Sequence, residues 1–395
     1  MRILVWQWGR RGAGPRFAAC LADALRGRPG IEVALSLSRD AEIMAGADAP
    51  RCEMPIRTYR GPMTCLVRLL TAPLALPFLA VRLRRLRPDL AICAMPALLD
   101  LLMAAALRLA GARLVVIVHD ADRHPGDGLP LQMVLQRLLC RRADGLAVLS
   151  AHVGERLRAQ RLVGIPGRPL IAFEHPPFTF AMPAADRPPG PRRLLCFGRL
   201  LPYKGLDLLA DALARLPPQA LAVRVVGCGP ESLGLAALRA NPCVTVENRW
   251  VPEAEIGALL AWSDAIILPY REASQSGVAA AALAAGRPVI ATRVGGLEEQ
   301  LAAAPLALLC EPESDTLAQA IRTWMAAPVG VLPRVDADQA WRQAASRLLQ
   351  AIDLVVLRHQ KPASRRWFDR MLRPDARAVR SPRPQHGLAG PGGLE

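Results

Sequence analysis

Residues 193–207 read Arg-Leu-Leu-Cys-Phe-Gly-Arg-Leu-Leu-Pro-Tyr-Lys-Gly-Leu-Asp. The first five form an apolar run that predicts a buried β-strand, Gly198 ends the run, and a Leu/Ala-rich helical stretch follows Gly205. Arg199 and Lys204 lie between strand and helix, five positions apart. A strand, a turn and a helix in this order are typical of a βαβ unit, whose parallel sheet binds ligands at the carboxyl ends of its strands.

The same alternation of short apolar runs and longer Ala/Leu stretches repeats in both halves of the 395-residue chain. Strands are predicted in the first half at 3–6, 31–35, 90–93, 114–118 and 145–149, and in the second half at 193–197, 222–226, 244–246, 265–268, 288–291 and 307–309. The pattern therefore predicts an α/β protein with two Rossmann-like domains that face a cleft.

A proline-rich segment separates the two sets of strands and cannot continue a helix or a central strand. The predicted boundaries are an N-terminal Rossmann-like domain at 1–180, a linker at 181–192, a C-terminal Rossmann-like domain at 193–356 and a tail at 357–395. Nine Lys and Arg against two Asp lie between 358 and 383, so we expect a basic, disordered tail.

The formal net charge of +16 calls for an anionic partner, either a phosphorylated substrate, an acidic membrane surface or nucleic acid. No recognition helix and no aromatic-studded basic sheet is predicted, so we expect no nucleic-acid partner. The nine cysteines lack metal-ligand spacing, and the first residues lack the features of a signal peptide. We therefore expect buried thiols, no metal site and a cytoplasmic location.

The apolar segment 63–81 contains Arg68, Pro73 and Pro77, which argue against a membrane-spanning helix. Arginines follow at positions 82, 84, 85 and 87. Two interpretations stay open at this point: a core helix with a solvated basic end, or a helix that lies on an anionic bilayer, peripheral to the inner membrane face.

The turn around Arg199 and Lys204 has the chemistry of a diphosphate site. Arginine offers bidentate contacts, lysine a point charge, and the following helix its unpaired amides. This stretch, 198–205, resembles the G-R-x-x-x-x-K-G signature of the retaining glycosyltransferases of family 4, which have the B fold. Segments 226–231 and 288–299 are similar to two further family motifs, in the same order along the chain, and the similarity covers roughly residues 1 to 350.

The resemblance implies a nucleotide diphosphate sugar as donor, linked to UDP or GDP and held by the C-terminal domain. It implies a saccharide or lipid-linked acceptor, held by the N-terminal domain, and no other cofactor. It implies transfer of a hexose with retention and without a metal ion. Arg199 and Lys204 would stabilise the leaving diphosphate, and His119 would lie near the transferred sugar. The donor-contacting positions that it implies are Gly12, Gly14, Gly198, Arg199, Lys204, Gly227, Gly229, Ser276, Gly277, Val278 and Glu299, the last for a ribose hydroxyl.

Two glutamates that most of the family carries fall here on Ala273 and Ala281. The loop Ser274-Gln-Ser-Gly-Val278 resembles instead a bacterial branch associated with surface polysaccharide and exopolysaccharide assembly, in which the amides of Gly277 and Val278 would grip the donor. The missing carboxylates keep a second interpretation open, a catalytically lapsed member of the fold that acts as a binding or assembly partner.

Overall fold

The strands are short, apolar and parallel, as expected for strands that are covered on both faces. The computed structural model describes residues 1–46, 48–127, 130–165, 168–183, 190–217, 221–302, 304–305, 307–328 and 335–353. The predicted tail at 357–395 and residues 184–189 of the predicted linker lie outside this range. The strands are β1 (Arg2–Gln7), β2 (Glu32–Leu37), β3 (Leu90–Cys93), β4 (Arg113–Val118), β5 (Gly145–Val148), β6 (Leu170–Ala172), β7 (Arg192–Phe197), β8 (Leu221–Gly227), β9 (Val244–Asn248), β10 (Ala265–Leu268), β11 (Val289–Thr292) and β12 (Ala307–Cys310).

Helices separate most of the strands, so that successive strands are joined by crossover connections. They are α1 (Ala13–Arg26), α2 (Pro62–Leu86), α3 (Asp100–Ala110), α4 (Pro130–Arg142), α5 (Ala151–Ala159), α6 (Leu206–Leu213), α7 (Leu233–Ala240), α8 (Glu253–Trp262), α9 (Gly277–Ala284), α10 (Gly296–Leu301), α11 (Ser314–Ala326) and α12 (Ala337–Ile352).

Two six-stranded parallel sheets result, with strand orders β2-β1-β3-β4-β5-β6 and β12-β11-β10-β7-β8-β9. All eleven predicted strands are confirmed, and β6 is an addition at the edge of the first sheet. The predicted fold class, two Rossmann-like domains in the B arrangement of glycosyltransferases, is confirmed. Both sheets lie within one compact unit.

Each sheet has one point where the strand order reverses, and ligands of doubly wound sheets bind beside that point. In the first sheet it lies between β1 and β3, and in the second between β7 and β10. The loops after these four strands leave the sheets at their carboxyl ends, and all four line the same cleft. The topology alone therefore places the candidate site.

Apolar side chains cover both faces of each sheet. Val115 and Ile117 of β4 pack with Phe17 of α1 on one face, whereas Val116 and Val118 pack with Met103 of α3 on the other. Alternation along a strand sends successive side chains to opposite faces, so a continuous apolar run is needed to fill both layers. This explains why the strands could be predicted from unbroken apolar runs.

Helix α12 returns to the N-terminal half. Trp341 packs edge-on against Phe17, with ring centroids 5.0 Å apart, and its indole N–H donates to the Pro177 carbonyl over 2.8 Å. Ala345, Leu348 and other apolar residues of α12 belong to the same core as β1 and α1. The predicted boundaries follow chain order and assign this helix to the C-terminal domain, whereas its packing joins it to the N-terminal one.

Candidate active site

A cleft of about 610 Å³ lies between the carboxyl ends of the two sheets. The N-terminal half contributes the loops after β1, β3 and β4, and the C-terminal half the loops after β7, β8 and β10. A concave, two-sided site of this volume fits a nucleotide-sized ligand.

Arg199 and Lys204 both line the cleft. Gly198, before them, has φ +118, which favours glycine, and a Cβ at Gly227 would lie 1.6 Å from the Gly198 carbonyl oxygen. Gly205 has φ +64, and a Cβ there would lie 1.9 Å from the Pro269 carbonyl oxygen. These close backbone approaches join the turn after β7 to the loops after β8 and β10, which fixes the position of the two cations.

The ammonium of Lys204 lies 3.5 Å from the centroid of the Tyr270 ring and 4.8 Å from that of Tyr203. Ring faces attract a cation but replace only part of its hydration. Burial, followed by repulsion from the Arg199 guanidinium, lowers the pKa of Lys204 to about 7. A diphosphate in the cleft would reverse that shift, because an adjacent anion favours the charged lysine.

Arg199 is half-exposed and forms an ion pair with Asp127, which belongs to the N-terminal half, while its other amino group donates to the Tyr203 hydroxyl over 3.0 Å. The sequence analysis did not single out Asp127. It lies in the polar run 119–127 that follows the buried strand β4. A polar run at the carboxyl end of a buried strand could have indicated Asp127 as a site residue. A donor diphosphate would compete with Asp127 for the guanidinium.

His119 is buried at the end of β4 and lines the cleft. Its Nε2 lies 2.8 Å from the Ala94 carbonyl oxygen, which can only accept, so Nε2 carries the proton and Nδ1 is the basic nitrogen. Burial lowers the pKa of His119 more than Asp120 raises it. A neutral imidazole of this kind can accept a hydrogen bond from a hydroxyl group.

A second histidine, His124, bridges the two halves and was missed by the sequence analysis. Its ring nitrogens lie 3.2 Å from Asp120 and 3.3 Å from Glu272 of the other half, and its ring stacks on Tyr203 with centroids 4.7 Å apart. Burial lowers the pKa of His124, but the bonds to the two carboxylates outweigh it, and the net shift is upward. His124 thus links the two halves of the cleft.

The loop after β10 brings Ser276, Gly277 and Val278 to the cleft. The Ser276 hydroxyl caps α9 by accepting from the Ala279 amide over 3.2 Å, and Gly277 and Val278 open the helix. Ala273 and Ala281 also line the cleft, so the two positions without carboxylates face the site. The structure thus brings the three predicted loop residues together with the predicted cations.

Gln275, in the same loop, was not predicted as a site residue. It lines the cleft, and its side-chain oxygen is buried without a hydrogen-bond partner among the described residues. An unsatisfied buried acceptor is costly, so this oxygen suits a ligand hydroxyl.

Two predicted donor contacts are not brought to the cleft. Both carboxylate oxygens of Glu299 accept from the Ala151 amide, at 2.9 and 2.8 Å, and so cap α5 of the N-terminal half. A Cβ at Gly229 would lie 2.0 Å from the Leu200 carbonyl oxygen, so this glycine permits close packing of two loops. Neither residue lines the cleft in this structure, and their donor contacts stay a prediction.

Gly12 and Gly14 do line the cleft, at the start of α1. A Cβ at Gly14 would lie 2.8 Å from Nε2 of the Gln7 side chain and 3.1 Å from the Met95 sulfur, so a larger residue there would displace these two side chains. Cys228 is an exposed thiol in the cleft, contrary to the expectation of buried cysteines. Within the described ranges, no group of three or more His, Cys, Asp or Glu side chains is arranged so that it could hold a metal ion.

Two doubly wound parallel sheets that face a common cleft define the B fold of glycosyltransferases. Two sequence profiles agree with this class: "Glycosyl transferase 4-like domain" matches residues 12–173, and "Glycosyl transferases group 1" matches residues 191–327. The chain belongs to the glycosyltransferase family that these two domains define.

Individual relatives are distant. A GDP-mannose:glycolipid 4-beta-D-mannosyltransferase of Xanthomonas campestris pv. campestris is 33% identical over 26% of this chain, and the match spans only 30% of that enzyme. A 2-deoxystreptamine glucosyltransferase of Streptomyces kanamyceticus is 28% identical over 73% of this chain and 81% of its own length. HepE of Anabaena, solved with UDP-glucose, superposes with a TM-score of 0.63 and 20% identity over 89% of this chain and all of that one, which supports the fold alone.

Proposed function

We propose that the protein transfers a hexose from a nucleotide diphosphate sugar to a saccharide or lipid-linked acceptor, with retention and without a metal ion. Surface polysaccharide, exopolysaccharide or glycoconjugate assembly in the cytoplasm is the setting that we propose. The observation that carries the proposal is the cation pair Arg199 and Lys204, which lines a cleft at the reversal points of both sheets.

The donor diphosphate would lie between Arg199, Lys204 and the amides that open α9. As the bond between sugar and phosphate breaks, negative charge grows on the diphosphate, and fixed cations and amide dipoles stabilise that charge more in the transition state than in the bound donor. The acceptor hydroxyl attacks from the side of the leaving group, and its proton passes to the diphosphate oxygen. Retention follows without a covalent intermediate, so that no carboxylate pair is needed.

His119 would face the sugar through Nδ1, and the unpartnered oxygen of Gln275 would accept from a sugar or ribose hydroxyl. Lysine and arginine supply the charge that a metal ion provides in other transferases, which is why we propose metal independence. The names of the relatives include GDP-mannose and a glycolipid, and HepE was solved with UDP-glucose. We therefore keep both UDP and GDP sugars, and a lipid-linked acceptor, within the proposal.

The alternative is a binding or assembly partner that keeps the fold but has lost transfer. It is favoured by Ala273 and Ala281, which face the cleft where most of the family carries glutamates, and by Glu299, which caps α5 instead of facing the cleft. Under this alternative a nucleotide sugar would bind without turnover.

A panel of UDP, GDP and their sugars tests donor binding, because a ligand that binds the folded state raises the melting temperature. Transfer and hydrolysis are then followed with the radiolabelled sugar that gives the largest shift. We expect Arg199→Ala to lower turnover by about 100-fold or more, in the range found when a single charge-stabilising donor is removed. Arg215→Ala, which breaks an ion pair with Asp315 outside the cleft, is the matched control.

Full turnover in Arg199→Ala would contradict the catalytic assignment. Binding of a nucleotide sugar without transfer to any acceptor, and without hydrolysis, would favour the lapsed alternative.

A further inference from the structure

Helix α2 presents an apolar face to solvent. Met63, Val67, Leu70, Leu74, Phe78 and Val81 are 46–79% exposed. Their spacing of three and four residues places them on one side of the helix. At 1.5 Å per residue, this face is about 27 Å long. Soluble monomers rarely expose a continuous apolar surface of this extent, so the face calls for an occupant.

The opposite side of α2 is buried. Cys65, Leu79, Ala80 and Leu83 are covered, and the last three belong to the core that contains β3, β4 and α3. The interpretation of α2 as an ordinary core helix therefore accounts for one face only. By length and composition α2 could cross a membrane. Its most apolar stretch of 18 residues has a mean hydropathy of 1.8, and 17% of that stretch is buried. Crossing would pull its inner face out of the core, so only a position parallel to a bilayer surface keeps the domain intact.

Charge indicates which surface the face fits. Arg82 and Arg85 are exposed immediately after the apolar stretch, and Arg2, Arg84 and Arg87 surround a shallow concavity beside Val81. Apolar side chains followed by clustered arginines match acyl chains beneath anionic head groups. A protein partner would not need this order of apolar and basic groups along one helix.

We propose that α2 docks the protein on the surface of an anionic bilayer, with its apolar face in the acyl boundary and its arginines at the lipid phosphates. The helix begins next to the cleft, because Tyr59 lines the cleft and Arg10, in the loop after β1, donates to the Arg60 carbonyl over 2.8 Å. A lipid-linked acceptor can then reach the cleft while its lipid stays in the membrane. This last point rests on the proposed function, whereas the docking itself does not.

Co-sedimentation of the full chain with phosphatidylcholine vesicles, with and without phosphatidylglycerol, tests the proposal. We expect binding to the anionic vesicles at low salt and a marked loss of binding at about 1 M salt. At that concentration the Debye length is about 3 Å, so the attraction between arginines and lipid phosphates is screened. Leu70→Ser/Leu74→Ser/Phe78→Ser should lower the bound fraction at least tenfold. The matched control is Ile165→Ser/Leu233→Ser/Val335→Ser, three exposed apolar residues outside this face, and it should bind like the wild type.

Arg82→Gln/Arg85→Gln should remove the preference for anionic vesicles, whereas Arg141→Gln/Arg142→Gln on α4, with the same net charge, should retain it. Undiminished binding of the triple serine variant would overturn the proposal, and so would absence of binding by the wild type. A wild-type dimer in vesicle-free solution that the triple variant converts to a monomer would also overturn it, in favour of a second copy as the occupant. The melting-temperature shift with nucleotide sugars, measured without vesicles on the same variants, tests the proposed function separately.

Discussion

At the residue scale, the electrostatics of the cleft centre on Lys204, whose ammonium lies against two tyrosine rings. Its pKa of about 7 means that the free protein is only partly charged at this position near neutral pH. A bound diphosphate raises that pKa, so binding takes up a proton. The affinity for a nucleotide sugar should be full below the free-state pKa and should decrease as pH rises from about 7 toward the pKa of the complex.

The affinity should decrease by at most about tenfold per pH unit, because binding takes up one proton. Titration calorimetry with a nucleotide sugar, whose diester phosphates stay ionised throughout, measures it. Lys204→Arg keeps a charge that does not titrate in this range and should remove the pH dependence. An unchanged pH profile in this variant would contradict the role of Lys204.

Asp127 gives a second prediction at this scale. Its ion pair with Arg199 must be exchanged for contacts with the donor, so Asp127→Asn should tighten donor binding several-fold. Asp315→Asn, which removes the partner of Arg215 outside the cleft, is the control and should leave the affinity unchanged. Weaker donor binding in Asp127→Asn would instead indicate that Asp127 positions Arg199 for the donor.

At the scale of elements, two serine caps provide a matched pair. Ser276 caps α9 at the cleft, and Ser232 caps α7, where it accepts from the Leu235 amide over 3.2 Å. Replacing either with alanine should lower the free energy of unfolding by about 1 kcal/mol. Only Ser276→Ala should also weaken donor binding, since of these two helices only α9 begins at the cleft. Denaturant unfolding and donor titration of both variants measure this, and equal effects on donor affinity would contradict the site.

Most of the elements were predictable because parallel strands that are covered on both faces need unbroken apolar runs. The strand β6 was not, since it has only three residues and follows Pro169. Helix α2 continues through Pro73 and Pro77, although each ring removes a helical hydrogen bond. Sequence composition also left its two faces undecided, because apolar residues occur on both and only packing shows which face is covered.

The candidate site was predictable where a motif carries backbone geometry, as at Gly198, Gly227 and the cations between strand and helix. It was not predictable where partners come from the other half of the chain. Asp127 and Glu299 are examples. Asp127 pairs with Arg199, 72 positions away, and Glu299 accepts from the amide of Ala151, 148 positions away. Local sequence contains no information on such pairs without knowledge of how the two halves meet.

At the scale of the whole molecule, His124 links the two halves through Asp120 and Glu272. Its raised pKa makes the charged form the native partner, so its contribution to stability is present below the unfolded-state pKa and is lost as pH rises through the folded-state pKa. His124→Gln should therefore lower stability more at about pH 5.5 than at about pH 9, by on the order of 1 kcal/mol. Thermal unfolding of both proteins at the two pH values measures it, and a loss that is independent of pH would contradict the charged bridge.

Because Trp341 and its helix complete the core around Phe17, the N-terminal half lacks part of its core until α12 is present. Its apolar layer waits until residues 337–352 have been synthesised, after the whole second sheet. Until then the apolar side chains that α12 covers lack their partner, and transiently exposed apolar surface of this kind favours aggregation.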